Sequence, residues 1–430
     1  MRRTAIVTGK LMATRPVFYG WWVTVAFALM LFLSTGIRFT VGPFLKPVVA
    51  DLGLDRASFS LVVSLSLFLY GAFMPLVGRL VDRHGARPVL VVGTLVLGAS
   101  VGATGLVDSL WHLWVVYGVC VALGLAMTGH VVGSAVVSRW FIRRRGTALS
   151  MLGSASMAGI SLLVPISMAL ILAVGWRWTF GIFGLAVVVV MLPLALWVIR
   201  DGPEPLGLTP DGLPAAPRDV GAAVVERTEV GQAVQAWSFW QLSGGLFSCG
   251  FSMSMLSAHG VPMLTDHGYH PMLASWALGV LGGSSVALTL VLGAISDRFG
   301  RRPVLAWLYA TRALIFAGLF LVRDQPVVLL AIALVGGVSM AGSIAMTSAL
   351  TADIFGRFSV GSVFGMIFLV HQAGAATGSW LGGALFEATG GYGVAFTVAC
   401  VSLVGAALLS LRIDERPRVV PRLSPVAGGR

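Results

Sequence analysis

Twelve long apolar stretches, separated by short polar ones, leave this 430-residue chain few ways to fold. A helix needs about 20 mainly apolar residues to cross the hydrocarbon core of a bilayer. Runs near 18–45, 59–79, 87–106, 111–137, 147–172 and 177–199 meet that length, and so do runs near 238–265, 272–295, 303–322, 326–350, 358–386 and 391–412. With no water in the bilayer to bind backbone N–H and C=O groups, each run has to be a helix. Charged residues make up 11% of the chain, against about 25% in soluble domains, which is too little polar surface to cover a water-soluble core. The expectation is an all-α membrane protein of six plus six transmembrane helices.

The net charge of +12 would suit a nucleic-acid partner, since basic patches bind phosphate. Only two of the 29 basic residues are lysines, however, and most of the 29 lie between apolar runs, which is a topology signal. No nucleic acid is expected. The first tail, the even-numbered loops and the last tail hold 23 of the 29. The opposite loops hold Lys46, Arg56, Arg177 and Arg323, while Arg38 and Arg312 lie inside spans. This asymmetry predicts that both termini are cytoplasmic. The first run, from Phe18, is too long for a signal peptide and reads as a retained first span. Cys120, Cys249 and Cys400 all fall in apolar runs with no metal or disulfide spacing, and read as small buried apolar groups.

The six-plus-six count reflects a duplication. "GRLVDRHGARPVL" (78–90) returns as "GAISDRFGRRPVL" (293–305), 215 residues later, and Gly146 of "RRRGTALSM" aligns with Gly361 of "FSVGSVFGM" at the same offset. Residues 1–199 form one expected bundle and 238–430 the other. The Pro-, Gly- and charge-rich segment 200–237 is a linker with a short surface helix near its end. Two such halves flank a site near the bilayer midplane and rock about it.

The repeated turns resemble the signature loop of the major facilitator superfamily (MFS), over all twelve spans. That resemblance implies the MFS fold. Asp82, Arg83, Asp297 and Arg298 are then expected to act in gating, as charge pairs that form in one state and break in the other. More specific strings, "GIRFTVGPFLKPV" (36–48), "RWFIRRRGTALS" (139–150), "HGVPMLTDHGY" (259–269) and "VFGMIFLVHQAGAATGSWLGGALFEATGGY" (363–392), resemble bacterial relatives of monocarboxylate porters and oxalate–formate exchangers. This implies a small organic anion as substrate, moved with a proton or by exchange. Those families commonly carry an arginine in the eighth span. This chain has Ser285 and Thr289 in that region and no charge.

Ionisable groups inside spans are costly and ordinarily face a cavity or a partner. Arg38, in the outer half of a first span expected to end soon after Pro43 and Lys46, cannot lose its charge and offers a planar fork to a carboxylate. His371, in the middle of the eleventh span, can switch charge near neutral pH, as proton coupling requires. It stands where the resemblance places a lysine, and Gln372 follows it. Gly374, Gly378 and Gly382 form a small-residue stripe that permits close helix packing. His259, beside a break expected at Gly260 and Pro262, is a candidate for the cavity or for an outer gate with Asp266. His130 and Tyr70 complete the substrate-binding candidates. Arg312 is expected to turn inward and to pair structurally.

These readings converge on a monomeric secondary transporter in a bacterial cytoplasmic membrane. It would carry a small organic anion, with protons as a coupling partner and no cofactor or metal. The alternative is a drug or metabolite exporter of the same fold, with a permissive apolar cavity. An enzyme is not expected, because the chain has no HExxH, no P-loop and no nucleophile motif.

Overall fold

The computed structural model describes residues 18–141, 144–212, 225–226, 228–356, 360–415 and 421–422. Its main helices are α1 (Tyr19–Phe39), α2 (Val41–Leu52), α3 (Arg56–His84), α4 (Ala86–Thr104), α5 (Leu110–Trp140), α6 (Arg145–Pro193), α7 (Trp237–Asp266), α8 (Pro271–Phe299), α9 (Arg301–Leu321), α10 (Pro326–Phe355), α11 (Val360–Thr389) and α12 (Gly393–Leu411). Each expected span falls on helix: α1 with α2 makes the first, and α6 carries the fifth and sixth, turning at Gly175. Eight stretches of the described residues have the length and apolarity of a membrane crossing. The linker ends in a short helix, Val230–Val234. Two of its residues, 225–226, pair antiparallel with 421–422 of the tail.

The duplication is present in the backbone as well as in the sequence. Gly53 and Gly268, Gly85 and Gly300, and Gly175 and Gly390 each stand 215 residues apart. All six have positive φ, at 62° and 90°, 84° and 85°, and 82° and 71° respectively. A side chain is penalised in that region, so glycine is needed where one helix turns sharply into the next. Both halves therefore turn at the same places: before α3 and α8, before α4 and α9, and before the second rod of α6 and α12.

Each half has an apolar core, around Phe27, Leu31, Leu90 and Trp140 in the first and Phe239, Leu246, Leu308 and Phe396 in the second, with Ile160, Val164 and Met168 of α6 packing into the second core and Ala258 of α7 into the first. Across the interface, α3 runs against α11, the first rod of α6 against α8, and α2 against α7. These contacts lie away from the termini. The Ser64 hydroxyl donates to the carbonyl of Ala376 (2.6 Å), and that of Ser379 to Ser60 (3.3 Å). Toward the termini, Gly78, Gly153 and Gly365 have open space where a Cβ would stand. The halves thus meet at the far end and part toward the termini, leaving a cleft.

Within the second half, α7 and α11 touch backbone to backbone. A Cβ at Gly374 or Gly378 would collide with the carbonyls of Phe247 and Phe251, and one at Gly250 with that of His371. Gly382 leaves room for the ring of His259. The stripe read from the sequence is this contact.

Arg312 turns inward from α9 and is fully buried. Its guanidinium donates to the carbonyls of Ser339 and Met340 (the latter at 2.9 Å), to the hydroxyls of Ser343 (3.1 Å) and Ser252 (3.4 Å), and to Cys249 Sγ (3.1 Å). It pins α9 to α7 and α10. Two predictions follow from this packing. Arg312→Ala strands buried carbonyls and should destabilise the detergent-purified protein by about 2 kcal/mol or more, read as a lower melting temperature. Gly378→Leu should cost at least about 1–3 kcal/mol by overpacking, whereas Gly405→Leu, where a Cβ meets nothing, should leave melting unchanged.

Candidate functional site

At the deep end of the cleft lies Arg38. The first span does not end soon after it, as expected. At Thr40 the hydroxyl donates to the Ile37 carbonyl (2.7 Å), and the helix then resumes as α2 and continues through Pro47 to Leu52. Arg38 therefore sits in the middle of a two-part helix rather than near its outer end. Its Nη2 donates across the interface to Gln372 Oε1 on α11, at 3.4 Å. Its guanidinium lies 4.4 Å from the centre of the Tyr70 ring on α3. Its Nε is buried without a partner, and no carboxylate pairs with it among the described residues. A guanidinium has five donors in a fixed fork. One long hydrogen bond and one ring face leave most of that capacity unused.

The neighbouring groups are unsatisfied too. The ring of His371 stacks on Phe368, with centroids 5.0 Å apart and planes 7° apart. Its Nδ1 is 3.1 Å from Gln372 Oε1. A carbonyl oxygen only accepts, so Nδ1 donates. His371 Nε2 and Gln372 Nε2 are then buried with no partner among the described residues. Buried polar groups are ordinarily paired. Here three of them, on Arg38, His371 and Gln372, are not.

His130 follows an extended break in α5 at Gly129. Protein surrounds it, yet its surface is exposed, so it faces the cleft. Its Nε2 lies 2.9 Å from Ser156 Oγ on α6. Tyr117, on a π-helical stretch of α5 (Trp114–Val121), is within electrostatic reach of Arg38. Sequence reading missed Tyr117. The signal would have been a local widening of the helix, which residue types do not announce.

His259 lies elsewhere. Gly260 and Pro262 do not break α7, which continues to Asp266. His259 is fully buried in the far-end seal, with Nε2 2.8 Å from the Ser379 carbonyl and 3.4 Å from Ser60 Oγ, and Nδ1 3.3 Å from the Tyr392 hydroxyl. Of the two roles open to it in the sequence, the cavity and an outer gate, the geometry gives it the neighbourhood of the second. Beside it, charges cross between the halves. Arg56 donates to Asp266 (2.7 Å) and to the Tyr392 hydroxyl (2.9 Å), and its guanidinium lies 3.8 Å from the centre of the Phe386 ring. The backbone N–H of Arg56 donates to Glu387 (2.9 Å), and Lys46 pairs with Asp266 (2.6 Å).

The expected gating turns look different. Arg83 and Arg298 are exposed at the termini end, and the side chains of Asp82 and Asp297 lie outside the described residues. The ties that are visible run within each half. Asp201 accepts from the N–H groups of Ala86 (2.7 Å) and Arg87 (3.2 Å) at the start of α4, and Arg301 pairs with Asp353.

The comparisons fit this architecture. The sequence profile of the Major Facilitator Superfamily matches residues 27–322 and 242–428, which together span nearly the whole chain. The chain is 28% identical over 371 residues to the uncharacterized MFS-type transporter YcxA of Bacillus subtilis (strain 168), covering 84% of this chain and 87% of that one. It is 23% identical to the oxalate:formate antiporter of Oxalobacter formigenes, covering 94% of each. Its fold is similar to the crystal structure of a bacterial homolog of the human lysosomal transporter Spinster, in an inward-facing and unoccupied conformation. The TM-score is 0.66 at 16% identity, over 91% of this chain and 93% of that one. On the profile match and the fold together, the chain belongs to the Major Facilitator Superfamily and is a multi-pass membrane transporter.

Proposed function

We propose that this transporter is a secondary carrier that moves a small organic anion, a monocarboxylate, across a bacterial cytoplasmic membrane by alternating access. Twelve crossings form bundles 1–199 and 238–430 about the linker 200–237, with both termini in the cytoplasm. The observation that carries the reading is Arg38: a permanent cation at the interface of the halves, with an unpaired Nε and no carboxylate partner among the described residues. A substrate carboxylate supplies what it lacks, a planar acceptor for a planar donor. Gln372 Nε2 can donate to the same anion, and Tyr70 and Tyr117 close the side of the site. The similarity to an oxalate:formate antiporter supports this substrate class.

Proton coupling in this reading falls to His371 and His130, because no Asp or Glu lies mid-span. With an inward proton gradient, proteoliposomes should take up labelled monocarboxylate, and Arg38→Gln should reduce uptake more than tenfold. Folded wild-type protein that takes up no carboxylate under any gradient would overturn the reading in favour of the exporter.

In the same reading, the far-end charges are a latch that breaks when the carrier turns outward. Burial works against the charge on Asp266, but its hydrogen bonds to Arg56 and Lys46 prevail and hold its carboxyl below the usual aspartate range. A carboxyl depressed in this way stabilises the closed end fully above its ordinary value of about 3.9, and the contribution is lost only as pH falls through the lowered value. The latch therefore stays charged from about pH 5 to 8. Asp266→Asn should raise the alkylation rate of a cysteine placed at Ser60 by a factor of less than about ten, since the pair is partly solvated, and by the same factor at pH 5 and pH 8.

A further inference from the structure

The 215-residue offset relates helices, and it also relates the two sides of the cleft. Carried across that offset, Arg38 of α1 becomes Met253 of α7, Tyr70 of α3 becomes Ser285 of α8, and Gln372 of α11 becomes Met157 of α6. The paired glycines that flank these helices fix the register. Met253, Ser285 and Met157 are together in the structure. With Phe39, Ile160, Leu256, Leu278 and Met340 they line a cavity between the halves. The positions that the duplication relates to Arg38, Tyr70 and Gln372 thus line an apolar cavity.

The cavity and Arg38 are neighbours. The ring of Phe39 lines the cavity, and its centre lies 5.8 Å from the Arg38 guanidinium. The apolar cavity has a volume of ≈ 30 Å³, measured as the space open to the centre of a water-sized sphere. One water needs about 10–15 Å³ by that measure, so the space holds two or three such groups. Three methionines in its wall are unbranched and polarizable, and reshape around an irregular apolar group. Ser285 offers nothing to a ligand, because its hydroxyl already meets the carbonyls of Leu281 (3.0 Å) and Gly337 (2.8 Å).

Resting on the anion-carrier reading above, we propose that the substrate is an amphipathic monocarboxylate, its carboxylate on Arg38 and a short branched or unbranched aliphatic body past Phe39 in the methionine pocket. The class follows from the two environments. A second carboxylate, as in a dicarboxylate, would enter an apolar pocket with no cation to meet it, at a high desolvation cost. Each buried methylene adds a favourable increment instead. The missing charge in α8 has the same meaning, since Ser285 stands where Tyr70 stands in the other half.

The test is uptake of three labelled probes into proteoliposomes: pyruvate, 4-methyl-2-oxopentanoate and oxalate. Wild type should transport 4-methyl-2-oxopentanoate with a kcat/KM at least tenfold above that for pyruvate, with oxalate below both. Met253→Gln and Met340→Gln, on two different helices, should each lower the kcat/KM for 4-methyl-2-oxopentanoate about tenfold and leave pyruvate within twofold. Retained pyruvate uptake is also the control for folding. Pyruvate or oxalate carried as well as the branched acid by wild type would overturn the inference while leaving the anion carrier intact. Equal loss of both monocarboxylates in the two variants would overturn it as well. Uptake of none of the three by folded wild type would overturn both.

Discussion

A cation held between helices without an anion is the constraint on which this structure turns. The chain buries two arginines in its spans and treats them in opposite ways. Arg312 is surrounded by two carbonyls, two hydroxyls and a thiol, all from its own half. Its charge is solvated by the protein, and its position is fixed. Arg38 has one long hydrogen bond to an amide of the other half and the face of a tyrosine. In a medium of low dielectric a charge attracts whatever can complete its shell. The same residue type is therefore a rivet in one half and an under-satisfied cation in the other, which the proposed reading makes a receptor, and what separates them is the number of acceptors within reach.

The interface follows from the same economy of polar groups. Each half has a core of its own, joined across the interface by Ile160, Val164 and Met168 of α6 on the second core and Ala258 of α7 on the first. What crosses between them at the far end is a small set of hydrogen bonds and ion pairs: Arg56 and Lys46 with Asp266, Arg56 with Tyr392, and Ser60 and Ser64 with α11. Partly solvated ion pairs are individually weak. In the proposed reading that suits a contact that has to break, because water replaces each partner at little net cost.

Much of this was legible in the sequence because hydrocarbon leaves the backbone one solution. Run length gave the helices, and the 215-residue offset gave the two-fold plan, which the paired glycine dihedrals repeat. Arg38, His371, Gln372 and Tyr70 stood out as polar residues in apolar surroundings, and the structure brings Arg38, Tyr70 and Gln372 into contact, with His371 beside Gln372. Other features depended on geometry that residue type does not carry. Pro43 and Lys46 suggested an end to the first span, but a proline near the start of a resumed helix is tolerated, and α2 continues. Pro262 suggested a break in α7, yet the helix passes through it and seats His259 in the seal. Tyr117 is aimed by a π-helical widening. The seal did leave one trace. Lys46 and Arg56 belong to the four basic residues of the poorly charged loops, and a cation on the side where cations are rare is there for a partner.

In the proposed anion-carrier reading, the duplication bears finally on how one site would couple an anion to a proton. Two identical halves would present the same group twice across the interface. Here the copies have diverged at matching positions: Arg38 matches Met253, and His371 matches Ser156, which is the partner of His130. Arg38 remains as a cation at the interface, unpaired among the described residues, with His371 and His130 on the neighbouring helices and no carboxylate mid-span. While the site is empty, the positive field of Arg38 is unopposed by any anion in it. An anion seated on Arg38 cancels that field, so anion and proton favour each other through Coulomb attraction alone. No relay through the helices is needed for this step. The rocking of the halves then only has to expose a site that is already neutral as a whole, and a neutral site crosses a low-dielectric bundle more cheaply than a charged one.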